Sequence, residues 1–267
     1  MDPEATARAQ RLSREQFGRS GDAYLVSASH AGGGELARMV AVARSRLGEL
    51  TGLRGLDVAT GGGHTARAFA VAGMAVTASD LTPEMLAAAE RSLREALPDA
   101  DLAFVTAAAE SLPFEGGAFE LVTCRIAAHH FGDPQAFLAE ARRVLVPGGV
   151  LILVDNVAPE DAALAEAMNS VERLRDPSHV RAYAVSEWVA WAAGAGFEPV
   201  HLERFWRVKA LAAWLERART GEESRRAIRE LVEGAGAAVR EYLTVPGAAE
   251  PSLRHEVVLL AATVGPT

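Results

Sequence analysis

Residues 53–63 read Leu-Arg-Gly-Leu-Asp-Val-Ala-Thr-Gly-Gly-Gly, and a second apolar run ends on Asp80, nineteen positions after Gly61. The first stretch has the character of a buried strand that runs straight into a glycine-rich turn. The turn opens a helix over 64–72 (His-Thr-Ala-Arg-Ala-Phe-Ala-Val-Ala). Glycines permit backbone conformations with φ > 0 and let a ligand approach the chain closely. The next strand, 75–79, leads into an acid able to accept hydrogen bonds from a ribose diol. Strand, glycine turn, helix, strand and acid together describe half of a nucleoside-cofactor site.

The identity of the nucleoside turns on Asp57. The stretch Gly61-Gly62-Gly63-His64-Thr65-Ala66 also fits the G-x-G-x-x-A dinucleotide pattern. Dinucleotide sites place a pyrophosphate on the helix N-terminus, and their first strand usually runs apolar up to the first glycine. Here Asp57 stands four residues before Gly61. A carboxylate there repels a pyrophosphate and suits a ligand with a cationic ammonium. S-adenosylmethionine carries an ammonium and a sulfonium, so the acid favours the methyl donor over NAD. An NAD-dependent reductase and a non-catalytic cofactor-binding protein remain the alternatives.

From this point the chain resembles the class I S-adenosylmethionine-dependent methyltransferases, closest to the branch that includes the ubiquinone and menaquinone biosynthesis enzymes. Leu56-Asp57-Val58-Ala59-Thr60-Gly61-Gly62-Gly63 resembles the family's first motif. Asp80-Leu81-Thr82-Pro83-Glu84-Met85-Leu86 resembles its ribose-binding acid and following helix start. Ala109-Glu110-Ser111-Leu112-Pro113-Phe114 and Phe119-Glu120-Leu121-Val122 resemble the adenine-side loop and fourth strand. Residues 143–151 resemble the turn into the fifth strand. The likeness is good over 35–157 and loose elsewhere. It implies a doubly wound, mostly parallel seven-stranded sheet whose last strand is antiparallel, with S-adenosyl-L-methionine as cofactor. By the resemblance, Asp57, Ala59, Thr60, Gly61, Gly63, Asp80, Leu81, Met85, Ala108, Ala109 and Glu110 belong to the cofactor site; Tyr24 joins them from its place in a lid-like segment and Arg125 from its place directly after the fourth strand. Two positions depart from the pattern. Ala59 stands where the strictest form has glycine. Ala108 stands where an acid is often found for the adenine amino group, which leaves backbone at 108–109 or Glu110 as substitutes.

Composition narrows the partners. The chain of 267 residues carries a net charge of −8, with Lys209 its single lysine and no arginine cluster long enough to track a phosphate backbone. No nucleic-acid partner is expected. No stretch is long and apolar enough to cross a bilayer, and the start lacks a signal-peptide core. One cysteine excludes an internal disulfide, in keeping with the cytoplasm. One domain, as a monomer or homodimer, is expected.

Helical patterns cover 8–17 and 34–50, around a Ser-, Gly- and His-rich segment, 18–33, that reads as a loop or lid containing Tyr24 and His30. Strands near 54–59, 75–79, 102–106, 119–124 and 150–155 alternate with helices near 64–72, 83–96 and 134–145. Pro83 suits a first helical position after Thr82, an acceptable N-cap. Later come helices at 161–175 and 186–193 (capped by Ser186), a strand at 200–208, helical material over 211–243 broken at Gly221, Gly234 and Gly236, and a buried strand at 255–263. The helices at 160–183 and 211–243 read as additions over the active-site edge.

Residues 124–131 (Cys-Arg-Ile-Ala-Ala-His-His-Phe) follow the fourth strand, on the edge where doubly wound sheets bind ligands. The adjacent His129 and His130 diverge, and no acid or His at helical spacing completes a metal site, so none is expected. Either His is a candidate general base facing the substrate, and a backbone-bonded structural His is the competing reading. Arg125 is expected to line the cofactor pocket and Cys124 to be buried filler. Most of Trp188, Trp191, Trp206 and Trp214 read as core, with one or two available to wall an apolar substrate cavity. The late chain is rich in aromatic and aliphatic residues, which favours a small, largely apolar or aromatic acceptor.

Overall fold

The computed structural model describes residues 3–18 and 34–265. Tyr24 and His30 therefore lie outside the described residues. Helix α1 (Pro3–Phe17) and helix α2 (Gly34–Leu47) precede the sheet. Five parallel strands follow: β1 (Arg54–Val58), β2 (Ala75–Asp80), β3 (Leu102–Thr106), β4 (Phe119–Arg125) and β5 (Leu145–Asn156). They are joined by α3 (His64–Val71), α4 (Pro83–Ala96) and α5 (Pro134–Val144). After β5 come α6 (Ala162–Arg175), α7 (Val185–Gly194), β6 (Phe197–Ala210), α8 (Leu211–Arg217), α9 (Glu222–Gly234), α10 (Ala237–Leu243) and β7 (Ser252–Val264).

The seven strands lie in the order β3-β2-β1-β4-β5-β7-β6, and β7 runs antiparallel to both β5 and β6. This is the expected doubly wound sheet with its antiparallel last strand. The order reverses between β1 and β4, the switch point where such sheets open a crevice at their carboxyl ends. Central strands bury both faces: β1 buries Leu56 and Val58, β5 buries Val150 through Val154, and β7 buries Val257 through Ala262. That explains their near-continuous apolar runs. One core layer gathers Leu56, Val122, Leu151, Leu260, Phe137 and Trp188, and the opposite layer gathers Met39, Phe69, Val76, Ile152 and Leu259. A third cluster, Met168, Val171, Trp214, Ile228 and Leu243, binds α6 and α8–α10 into a cap.

Several caps differ from the sequence expectation. Thr82 stands at the N-cap of α4, but its hydroxyl makes no cap; its N–H instead donates to Asp80 Oδ1 at 2.9 Å. Helix α7 begins after Ala184, whose N–H donates to Glu187 Oε2 at 2.8 Å, while Ser186 Oγ donates to Glu160 Oε2 at 2.6 Å. Ser186 is drawn off by an acid outside the helix. Asp161 and Asp133 cap α6 and α5, each accepting two first-turn N–H groups.

Candidate active site

The crevice at the switch point holds about 950 Å³ of empty space, part of it open to solvent. Its floor is the turn after β1. Ala59, Gly61 and Gly63 all take positive φ, at 54°, 53° and 77°. This left-handed path turns the strand sharply into α3. Asp57 lies beneath the turn rather than in the crevice and is 2% exposed. Thr60 Oγ1 donates to its Oδ2 at 2.7 Å, and Thr123 Oγ1 on β4 donates to its Oδ1 at 2.8 Å. Burial pushes the Asp57 carboxyl up to about 6, against the pull of those hydroxyl hydrogen bonds and of Arg125. Asp57 thus holds the turn together and makes no direct approach to a ligand ammonium.

Asp80, 8% exposed, ends β2 at the crevice wall. Its Oδ2 accepts the Gly61 N–H at 2.9 Å while Oδ1 accepts that of Thr82. The Thr82 hydroxyl and the Leu81 N–H also bear on this carboxylate. Burial raises its pKa, and the Thr82 and Gly61 N–H groups oppose that. Leu81 and Met85 line the wall beside it, followed by Ala107, Ala109 and Glu110. Ala108 does not reach the crevice, because its carbonyl accepts the Ser111 N–H at 3.1 Å in a small turn. Gly63 also faces away: a Cβ built there would meet Leu93 Cδ1 at 3.0 Å. Thr60 and Ala59 do line the space.

Arg125 lines the opposite side, with Nε donating to Thr65 Oγ1 at 3.0 Å and Nη1 to Glu35 Oε1 at 3.1 Å. Glu35 is also bonded by Arg207, so α2, β4 and β6 are tied through one buried carboxylate. Cys124 is fully buried, and burial raises its thiol well above the ordinary range.

The two histidines part company. His129 is 6% exposed and outside the crevice; its Nδ1 lies 2.6 Å from Asp155 Oδ1, and its N–H donates to Asp155 Oδ2 at 2.8 Å. Burial lowers its pKa, but the Asp155 carboxylate outweighs this and the net shift is upward. His130 lines the crevice, edge-on to Phe17 at 5.1 Å. Burial and the neighbouring His129 push it down to about 4, so it is neutral near pH 7. Its Nδ1 has two neighbours, the Ser178 carbonyl at 3.0 Å and Ser178 Oγ at 3.1 Å. Ser178 Oγ gives its own proton to Asp176 Oδ1 at 2.6 Å. Both neighbours are acceptors, so Nδ1 carries the proton and Nε2 keeps a bare lone pair.

The methyltransferase domain family matches residues 56–153 of this chain. The methyltransferase YcgJ of Bacillus subtilis is 40% identical over 174 residues, covering 65% of this chain and 67% of that protein. A Bacillus halodurans structure described as a methyltransferase superposes with a TM-score of 0.81 at 36% identity, covering 88% of this chain and 100% of that one. A ubiquinone biosynthesis O-methyltransferase of Xanthomonas oryzae is 33% identical over 172 residues, 64% of this chain and 63% of that one. The chain belongs to this methyltransferase family.

Its cofactor is S-adenosylmethionine, and the crevice fits that group. Backbone turned at positive φ offers close approach at Gly61, Asp80 sets a carboxylate on the wall where a diol would lie, and Leu81 with Met85 give an apolar wall for a flat ring. Sequence reasoning missed the other wall of the crevice. Gln10, Ser13 and Phe17 of α1 line it, and Gln10 Nε2 donates to Glu110 Oε2 at 3.1 Å while Gly132 N–H donates to Oε1 at 3.0 Å. Glu110 therefore clamps α1 and the loop before α5 together on this side of the crevice. No local motif in α1 announces this. Among the described residues the cap helices do not line the crevice; the segment after α6 supports it by holding His130 through Ser178 and the His129 carbonyl through the Val180 and Arg181 N–H groups at 3.0 and 3.1 Å. The described residues contain no grouping of three His, Cys, Asp or Glu side chains placed to hold a metal ion. No described helix is long and apolar enough to cross a membrane.

Proposed function

We infer that this methyltransferase transfers the methyl group to a small molecule with a largely apolar or aromatic body, by in-line displacement, using His130 rather than His129 as general base. One observation carries the reading: His130 lines the same crevice as Gly61, Asp80 and Met85, with its Nδ1 committed to Ser178 and its Nε2 lone pair free. The bound cofactor supplies an electrophilic methyl on a cationic sulfur. The chain has to hold the acceptor in line with that carbon, exclude water and take one proton if the acceptor is a phenol or a carbon acid. His130 Nε2 takes it, Nδ1–H stays on the Ser178 carbonyl, and the Asp176–Ser178 pair keeps the ring from rotating. Phe17, Phe131 and Ile126 give the crevice mouth an apolar lining. The relative named for ubiquinone biosynthesis supports an oxygen on an aromatic ring as acceptor. A monomer or homodimer in the cytoplasm accords with the single buried cysteine.

The test is a homocysteine-release assay over phenols, quinol precursors and amines. His130→Ala should lower turnover about 10²–10⁴-fold with cofactor affinity within a few-fold of wild type. Full turnover in His130→Ala removes the base and leaves proximity alone. Tight cofactor binding with no product from any acceptor favours a cofactor-sensing role.

A further inference from the structure

Two further histidines and two buried acids pack around His130. The His129 and His130 ring centres are 4.2 Å apart, and His179 stands 5.4 Å from the first and 6.4 Å from the second. Hydrogen bonding assigns a charge to each ring. Asp155, wholly buried at the end of β5, accepts the His129 N–H, the Asn156 N–H and His129 Nδ1. A carboxylate taken out of water needs a cation, and among the described residues His129 is the one that pairs with it. Burial opposes charge on His129, and Asp155, with Glu172 and Asp176 behind it, overcomes that. His179 is the neutral ring. Asn169 Nδ2 donates to the Ala165 and Ala182 carbonyls, so its Oδ1 accepts, and His179 Nε2 gives it a proton at 2.8 Å. His179 Nδ1 has no partner. Burial, with His129, His130 and Arg173, holds that ring neutral against Glu172.

His130 stands between groups of opposite sign. Burial and His129 keep it neutral, against Asp176, the Ser178 carbonyl and Asp155. Asp176 is buried at the end of α6, where its Oδ1 accepts Ser178 Oγ at 2.6 Å and the Ser178 N–H at 2.9 Å. The negative end of the helix dipole lies there, so an acid gains nothing from α6. Among the described residues no cation pairs with Asp176 directly. It reaches His130 through Ser178 Oγ, which lies 3.1 Å from Nδ1.

The reaction brings a charge to this place. As the acceptor's oxygen bonds the methyl carbon, the carbon–sulfur electron pair stays on sulfur and the acceptor's proton goes to His130 Nε2. One positive charge leaves sulfur and appears on the imidazole ring. We propose, taking His130 as the base, that His129 and Asp176 are positioning residues acting on it with opposite sign. His129, held charged by Asp155, keeps the His130 Nε2 lone pair free of solvent protons before transfer. Asp176, through Ser178, offsets the charge that arrives with the acceptor's proton. Once product leaves, the His129 charge drives that proton out to water and restores the base.

The test follows the histidine Cε1–H signals of the full-length protein by NMR as pH is varied. In the wild type, His129 should titrate about two pH units or more above His130. A wild-type His130 that titrates level with His129 or above it overturns the proposal, whatever the variants do. His129→Gln should raise the His130 titration by about one pH unit or more, and adding Asp176→Asn should lower it again by about as much. Asp155→Asn, which leaves both rings in place, should narrow the gap from both sides. With a cooperative thermal melt showing that the variants fold, a His130 curve unmoved by both His129→Gln and Asp155→Asn overturns the part given to His129. A curve unmoved by the added Asp176→Asn overturns the part given to Asp176. Full turnover in His130→Ala would instead remove the base from the reaction and leave the wild-type titrations as they are, so the two failures are distinguishable.

Discussion

Gly61 and Gly63 lie two positions apart in one turn and should fail in different ways when given a side chain. Both take positive φ, 53° and 77°, where an alanine costs roughly 1–2 kcal/mol. At Gly63 the new Cβ would also sit 3.0 Å from Leu93 Cδ1, 3.2 Å from Leu93 Cγ and 3.4 Å from Ala89 Cβ. Leu93 is 2% exposed and has little room to yield. Crowding of that kind adds about 1–2 kcal/mol, so Gly63→Ala should destabilise the fold by about 2–4 kcal/mol, a fall in Tm of roughly 5–15 °C. At Gly61 the nearest atom to a Cβ is Met85 Cε at 3.8 Å, an ordinary contact, and the space taken belongs to the crevice. Gly61→Ala should therefore cost only a few degrees and lose cofactor affinity out of proportion. Thermal melts with calorimetric titration of S-adenosylhomocysteine read both effects. Adding Leu93→Ala to Gly63→Ala should show a favourable coupling of about 1 kcal/mol, because the crowding is then absent. Simple additivity of the Leu93 and Gly63 effects, or a Gly63→Ala that weakens binding more than Gly61→Ala with an unchanged melt, rules out crowding at Leu93.

The Asp57 carboxyl, raised to about 6 from its ordinary 3.8, is harder to ionise in the folded chain than in the unfolded one. The folded state then binds more protons between those values, so stability falls as pH rises through that window. Relative to Asp57→Asn, the wild-type protein should gain stability as pH drops from about 6 to about 4, read by urea melts at each pH; a pH-independent difference contradicts it. His129 is shifted upward by Asp155, so its contribution is present below its unfolded pKa and is lost as pH rises through the folded one. Asp155→Asn should move the His129 titration, followed by NMR, to lower pH; an unmoved curve removes Asp155 as the cause.

The cofactor half of the site is readable because its parts are local. Asp80 ends β2, Leu81 and Met85 flank the start of α4, and Glu110 sits in the loop after β3, each fixed within a few residues by strand ends and turn. What escaped reading depends on partners distant in sequence. In the sequence Asp57 stands free for a ligand until Thr123, 66 positions later, is brought under the turn. Gln10 meets Glu110 across 100 positions. His130 and His129 are equivalent as letters; Ser178, 48 positions from His130, separates them by fixing one ring's tautomer at the crevice. The long strands follow the same rule. β6 was expected over 200–208 and runs Phe197–Ala210 because β7 pairs with it along its length, which neither segment's own composition reveals.

Isothermal calorimetry on the wild-type protein and Asp80→Ala asks whether the crevice between Gly61, Asp80 and Glu110 holds S-adenosylmethionine. S-adenosylhomocysteine should bind at micromolar affinity or better, NADH should not compete, and Asp80→Ala should lose roughly 1.5–3 kcal/mol from the missing charge-assisted hydrogen bonds. Unchanged affinity in Asp80→Ala would place the ribose away from this wall, and displacement of S-adenosylhomocysteine by NADH would make the crevice a dinucleotide site.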